Sequence, residues 1–253
     1  SSAASDVYKR QPTDDIRDFN ECCAQAAEIC GIASSFGDGL DARVFPHGCE
    51  LSKAHGGIAI PVINPLSMDT IKANLDLAKA AQPFAVSLVI DSAGLPHLKK
   101  VSPDAGAKSA EQLRELCEYA EMPVIIKGVM TVQGAAKAAD AGAAAIVVSN
   151  HGGRVLAGAA ATAEVLPEIV EAVGGRVKII VDGGIRSGTD IFRALALGAD
   201  AVMICRPFLI SYYGGKTDGI VTYIEKLRAE LKDAMYMCGA RKISDIDRSM
   251  IRF

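Results

Sequence analysis

The chain has 253 residues, half of them hydrophobic and 23% charged, with a formal net charge of −3 and a pI near 5.8. That balance suits one soluble domain of barrel size and excludes the basic footprint of a nucleic-acid or anionic-membrane binder. No apolar stretch approaches the roughly 20 residues that span a bilayer. Seven cysteines, an odd number without a C-x-x-C pair, and four histidines without ligand spacing argue for free thiols in a reducing cytoplasm and against a metal site.

Residues 1–11 carry neither helical nor strand periodicity and lack a signal-peptide core, so they read as a disordered or foreign tail. Residues 12–253 read as one partial barrel domain. A helix is expected from Pro12 to about Glu28, with Ile16, Phe19, Cys23, Ala26 and Ala27 on one face. Short apolar runs then recur: 31–36, 57–64 (with Pro61 counting against a strand), 84–90, 123–126, 144–148, 177–181 and 201–204. Helices are expected between them at 110–121, 131–141, 162–173 and 189–197, the last stopped by Gly198, with a final helix over 219–237.

Near-continuous apolar strands mean a sheet covered on both faces, hence parallel. Repeated strand–helix units of about 30 residues leave two closures, a (β/α)8 TIM barrel or an open doubly wound sheet. The polar residues choose between them. Five successive strands end in a reactive side chain: Asp91, Lys127, His151, Asp182 and Arg206. In a barrel such ends ring one ligand; in an open sheet they spread along an edge. The expected fold is therefore an N-terminally truncated TIM barrel, with seven of eight strands present and the first one missing.

The loop Asp182-Gly183-Gly184-Ile185-Arg186-Ser187-Gly188 is small enough for backbone N–H groups to reach an anion, and the helix after it adds a positive dipole end. Cys205-Arg206 contributes a cation after the next strand, a usual phosphate position in barrels. The alternative is a tight turn with two solvated arginines. Lys127 is open to three readings: a Schiff-base lysine, a fixed cation facing negative charge on a ring, or a salt bridge to Asp91 or Asp182. His151 and Asp91 suit a base with its orienting carboxylate, and Arg154 suits a carboxylate substrate.

Four segments in order and at fitting spacing carry a specific resemblance: Ile125-Ile126-Lys127-Gly128-Val129, Ser149-Asn150-His151-Gly152-Gly153-Arg154, residues 182–190, and residues 194–202. They resemble the FMN-dependent α-hydroxy-acid dehydrogenases and oxidases, the glycolate and lactate oxidase family. The resemblance implies FMN as cofactor and a small 2-hydroxy acid as substrate, oxidised to the 2-oxo acid by hydride transfer to the flavin. It implies His151 as base, supported by Asp91, with Arg154 on the substrate carboxylate. Lys127 and Ser149 would meet the flavin ring, and Asp182 the ribityl hydroxyls. Gly183, Gly184, Ile185, Arg186, Cys205 and Arg206 would hold the phosphate. The family often forms homotetramers, an analogy that leaves this chain's oligomeric state open; the electron acceptor is open too.

Departures from the family pattern are Cys205 in place of glycine, Ala157 in place of aspartate and Val89 in place of threonine. No arginine stands between Ser92 and Lys100, which leaves Lys99 or Lys100 as substitutes. The missing first strand would take a family tyrosine with it. Rival readings are an FMN-dependent barrel isomerase acting on a prenyl diphosphate, which needs more cations at the mouth, and an inactive barrel fragment.

Overall fold

A computed structural model describes residues 13–37, 41–94 and 96–252. The tail at 1–11 lies outside the described residues. Helix α1 (Thr13–Cys30) opens the described fold and ends at Gly31, whose φ of +62° suits a helix stop. Strand β1 (Ser34–Gly37) and helix α2 (Val44–Ala54) follow, then β2 (Ala59–Ile63), α3 (Met68–Ala81) and β3 (Val86–Val89). A 3₁₀ turn at Asp91–Gly94 leads to the short α4 (Pro96–Val101) and then α5 (Ala110–Ala120). The second half alternates strictly: β4 (Val124–Val129), α6 (Val132–Asp140), β5 (Ala145–Val148), α7 (Thr162–Val173), β6 (Lys178–Val181), α8 (Gly188–Ala196), β7 (Ala201–Val202) and α9 (Arg206–Cys238).

All seven expected strands form, and all pair in parallel in the order β1 to β7. Among the described residues β1 and β7 do not pair with each other, so the sheet is a curled, unclosed barrel wall. Helices α1 and α9 pack against each other instead, through Phe19, Cys22, Ala26 and Cys30 of α1 and Leu209, Tyr212, Ile220 and Ile224 of α9. The α1 set recurs at helical spacing, which puts one apolar stripe on one partner.

Pro61 does not break β2; all five residues of that strand are buried. Its pairing with β3 begins only at Val62, after the residue that has no N–H to give. Three helices were not among the expected elements: α2, α3 and α4. The expected final helix over 219–237 forms as the second part of α9. A first part, not expected, runs from Arg206 with proline in its first turn, and the two meet at a kink where Gly215 and Lys216 leave helical geometry.

The strands alternate between two apolar layers. Ile63, Val86, Leu88, Val124, Ile126, Ile146, Val148, Ile179 and Val181 face the helices and belong to the main core. Ile60, Ala85, Ile125, Ala145 and Val147 point the other way and fill the barrel interior with Ile180 and Met203. Both faces being covered accounts for the unbroken apolar runs in the sequence.

Candidate active site

The site lies where these apolar layers stop. One residue beyond β5, Ser149 is fully buried and its Oγ accepts two hydrogen bonds, from Lys127 Nζ at 3.0 Å and from the His151 backbone N–H at 3.1 Å. His151, Gly152 and Gly153 follow with φ of +57°, +69° and +74°. Two glycines take that backbone freely; the histidine does not, and it is held there by its neighbours. Asn150 does much of the holding. Its Oδ1 accepts from Gly153 N–H at 3.0 Å, and its Nδ2 donates to the Ala160 carbonyl at 3.0 Å.

The imidazole of His151 reaches back to β3. Nδ1 lies 3.0 and 3.1 Å from the two carboxylate oxygens of Asp91, whose side chain is only 7% exposed. With Nδ1 donating to Asp91, Nε2 is the acceptor nitrogen, and among the described residues it has no partner. This is the arrangement of a base with an orienting carboxylate.

Lys127 ends in a second cluster. Its Nζ is 3.3 Å from Asp182 Oδ2, and both side chains are largely buried, at 13% and 18% exposure. Of the acids the sequence offered, Asp182 is therefore the lysine's partner and Asp91 is not. Asp182 Oδ1 is buried with no hydrogen-bond donor among the described residues. A buried carboxylate oxygen without a donor is costly, and such an atom points to an absent ligand group. Thr162 Oγ1 fixes the same corner by donating to the Asp182 carbonyl at 2.7 Å.

The loop after β6 is glycine-shaped, with φ of +87° at Gly183 and +79° at Gly184. Among the described residues, the N–H groups of Gly183, Gly184 and Ile185 donate to no protein acceptor. The next donors are taken. Asp190 Oδ2 accepts from Arg186 N and Ser187 N at 3.1 and 3.0 Å, and Glu230 of α9 accepts from Gly188 N at 2.8 Å. The expected contribution of the α8 dipole is thus met from within the protein, and the open donors lie just before the helix. The Ile185 side chain packs on the main core and anchors this loop.

Arg206, the first residue of α9, brings its guanidinium over Gly152: a Cβ at that glycine would lie 2.8 Å from Nη2. Arg154, Arg186 and Arg206 have no carboxylate partner among the described residues. Cys205 is exposed at the residue level, yet atoms crowd its sulfur. Desolvation pushes the thiol pKa up; Asp182 pushes the same way, while Lys127, Arg206 and Arg154 oppose. The thiol thus samples the field of the same groups.

The structure therefore brings Asp91 to His151, Lys127 to Ser149 and Asp182, and Arg206 to the loop carrying His151. It does not bring Lys99 to that constellation, nor Lys100; both are exposed on α4. Gly128, Asn150, Thr162 and Glu230 support the site without having been singled out for it. The glycine after Lys127 and the Asx position before His151 were the available signals. Surface hollows of about 280 and 260 Å³ lie elsewhere, beside Cys117 and Asp140 and beside Arg17 and His47.

A parallel β/α wall with its charged groups collected beyond the strands' C-terminal ends is the frame of a TIM-barrel enzyme. Residues 91–253 match the FMN-dependent dehydrogenase family, and the chain belongs to that family. It is 46% identical over 141 residues to an L-lactate oxidase of Nostoc sp., covering 56% of this chain and 39% of the relative. It is 42% identical over 173 residues to a 4-hydroxymandelate oxidase of Amycolatopsis orientalis, covering 68% and 46%. Among solved structures, a mandelate oxidase superposes with a TM-score of 0.77 at 31% identity, over 90% of this chain and 72% of that one. A lactate oxidase of Pediococcus acidilactici superposes with a TM-score of 0.78 at 30% identity, over 92% and 72%. The chain spans about 40% of the length of the curated relatives it matches first. Among the described residues no helix is long and apolar enough to cross a membrane.

Proposed function

We propose that this chain carries the catalytic wall of an FMN-dependent enzyme that oxidises a small 2-hydroxy acid to the 2-oxo acid. The observation that carries the reading is the bond from His151 Nδ1 to the buried carboxylate of Asp91. It leaves Nε2 as a lone-pair base at the end of a strand. Asp91 orients the ring and stabilises the imidazolium formed when Nε2 takes the proton from the substrate hydroxyl oxygen. Arg154, which has no carboxylate partner among the described residues, would hold the substrate carboxylate with a two-pronged contact.

The residues present fit FMN. The orphaned Asp182 Oδ1 supplies a buried acceptor for a hydroxyl of the ribityl chain. The free N–H groups of Gly183, Gly184 and Ile185, with Arg186 and Arg206, suit a phosphate. Cys205 would line the same place. Lys127 and Ser149 would face the ring, where the ammonium opposes negative charge. When bound, FMN supplies the hydride acceptor; the protein supplies orientation, a base and fixed charge.

The test is anaerobic. The protein with FMN, mixed with lactate, glycolate or mandelate, should lose its visible flavin absorption. Retained colour with all three, or a prenyl diphosphate that binds without bleaching, would move the reading to a non-redox barrel enzyme.

A further inference from the structure

Strand β4 breaks its own alternation. Val124 and Ile126 face the helices, and Ile125 and Lys127 face the interior; Val129 should then face the interior too, yet it lies buried in the helix-side core. The register explains this. Lys127 pairs with Val147, and the next pair is Val129 with Val148, so Gly128 is an extra residue, a bulge. Bulges next to active sites re-aim side chains.

This one also makes room. Gly128 has a φ of +105°, and a Cβ built on it would lie 2.6 Å from both Cβ and Cγ of Asp91 and 2.9 Å from the Asp91 nitrogen. Real Cβ atoms do not come so close. The Asp91 carboxyl therefore occupies the place where any other residue at 128 would put its side chain. The neighbouring backbone cannot yield easily, because Ile90 N–H donates to the Lys127 carbonyl at 2.9 Å and ties β3 to β4 just beside the bulge.

We infer that Gly128 is a positioning residue: its missing side chain seats Asp91 so that the carboxylate meets His151 Nδ1. The bulge does two jobs at once, returning Val129 to the helix-side core after Lys127 and leaving the hollow that turns Asp91 to the imidazole. The inference rests on the oxidase reading for the task of His151, but not for the geometry.

The test reads the ring itself. In the full chain with ¹⁵N-labelled histidine at pH 9, where imidazoles are neutral, ring-nitrogen shifts report the tautomer, with His151 assigned by His151→Gln. The wild type should hold the Nδ1–H form. Gly128→Ala should lose that preference and match Asp91→Ala. A Gly128→Ala protein with wild-type ring shifts overturns the inference, as does a wild type without the Nδ1–H form. A second measurement separates crowding from the left-handed backbone. The fall in thermal midpoint caused by Gly128→Ala should shrink by at least half in an Asp91→Gly background, and an undiminished fall overturns the inference. If Gly128→Ala alone fails to fold, recovery in that background supports it and failure there overturns it. Tautomer loss in Gly128→Ala together with absent bleaching of the wild type would leave the role of Gly128 standing and remove the oxidase reading.

Discussion

Lys127 and Asp182 give the sharpest separation of structure from function. Their charged atoms are 3.3 Å apart, with side chains only 13% and 18% exposed. At an effective dielectric near 20 the gross attraction is about 5 kcal/mol, much of it offset by desolvation. Replacing Asp182 with leucine leaves a buried ammonium with Ser149 as its remaining partner, and such a break costs about 3–5 kcal/mol. Lys127→Met should be costly too, since it leaves the carboxylate without its cation. The double variant should be less destabilised in urea denaturation than either single variant, which requires a coupling energy larger than the roughly 3–5 kcal/mol cost of one break. FMN affinity should not recover, because Asp182 Oδ1 has no donor among the described residues and its worth lies in the ligand. One or two charge-assisted hydrogen bonds of about 1.5–3 kcal/mol each make the loss at least roughly tenfold. Quenching of FMN fluorescence on titration measures it. A double variant that is both stable and binds FMN as the wild type does would make the pair purely structural.

His151→Ala should slow anaerobic flavin reduction by about 10²–10⁴, the usual range for a lost general base, and a loss under tenfold removes it from that role. Gly152→Ala would place a methyl 2.8 Å from Arg206 Nη2 and displace the guanidinium. It should weaken FMN about tenfold while leaving riboflavin, which lacks the phosphate, unaffected; equal losses for both refute a phosphate role for Arg206. Burial pushes the Cys49 thiol up to about 11, with Glu50 adding to it. The unfolded thiol ionises near 8.5, so above that pH the unfolded state holds fewer protons and stability falls until pH passes about 11. Cys49→Ala should flatten the slope of the urea midpoint between pH 9 and 11, and an unchanged slope contradicts the assignment.

Strands were readable because a sheet covered on both faces demands unbroken apolar runs, and each run ends where solvent and chemistry begin. The missed helices differ in kind. In α3 the signal was present: Ser67 caps it by accepting from Thr70 N–H, and Ile71, Leu75 and Ala78 share one face. In α2, Pro46 and Gly48 read as breakers. The proline sits in the first turn, where its lost N–H has no helical partner, and the glycine is buried beside Phe36, where a Cβ would make only ordinary contact at 3.5 Å. The first part of α9, before its kink at Gly215 and Lys216, was hidden because Cys205-Arg206-Pro207 reads equally as a strand end or as a helix start. Only packing against α1 chooses between them.

The site shows the same limit at closer range. That Asp91, Lys127, His151 and Asp182 stand beyond successive strands follows from the apolar runs before them. His151 could be matched to Asp91 from the sequence, but the lysine's acid could not be chosen between Asp91, on the neighbouring strand, and Asp182, two strands away. The choice is made by one residue without a side chain: the bulge at Gly128 takes the Asp91 carboxyl past Lys127 toward His151 and leaves the ammonium to Asp182. A wall that packs below this level and reacts above it should tolerate change by position. Ile125, Ala145 and Val147 in the interior layer should answer to volume. Lys127 and Ser149, two residues further along β4 and from Val147, should answer to charge and hydrogen bonding. Val147→Ala would then lower stability with flavin affinity kept, whereas Ser149→Ala, removing two accepted bonds and almost no volume, would lower flavin affinity along with stability.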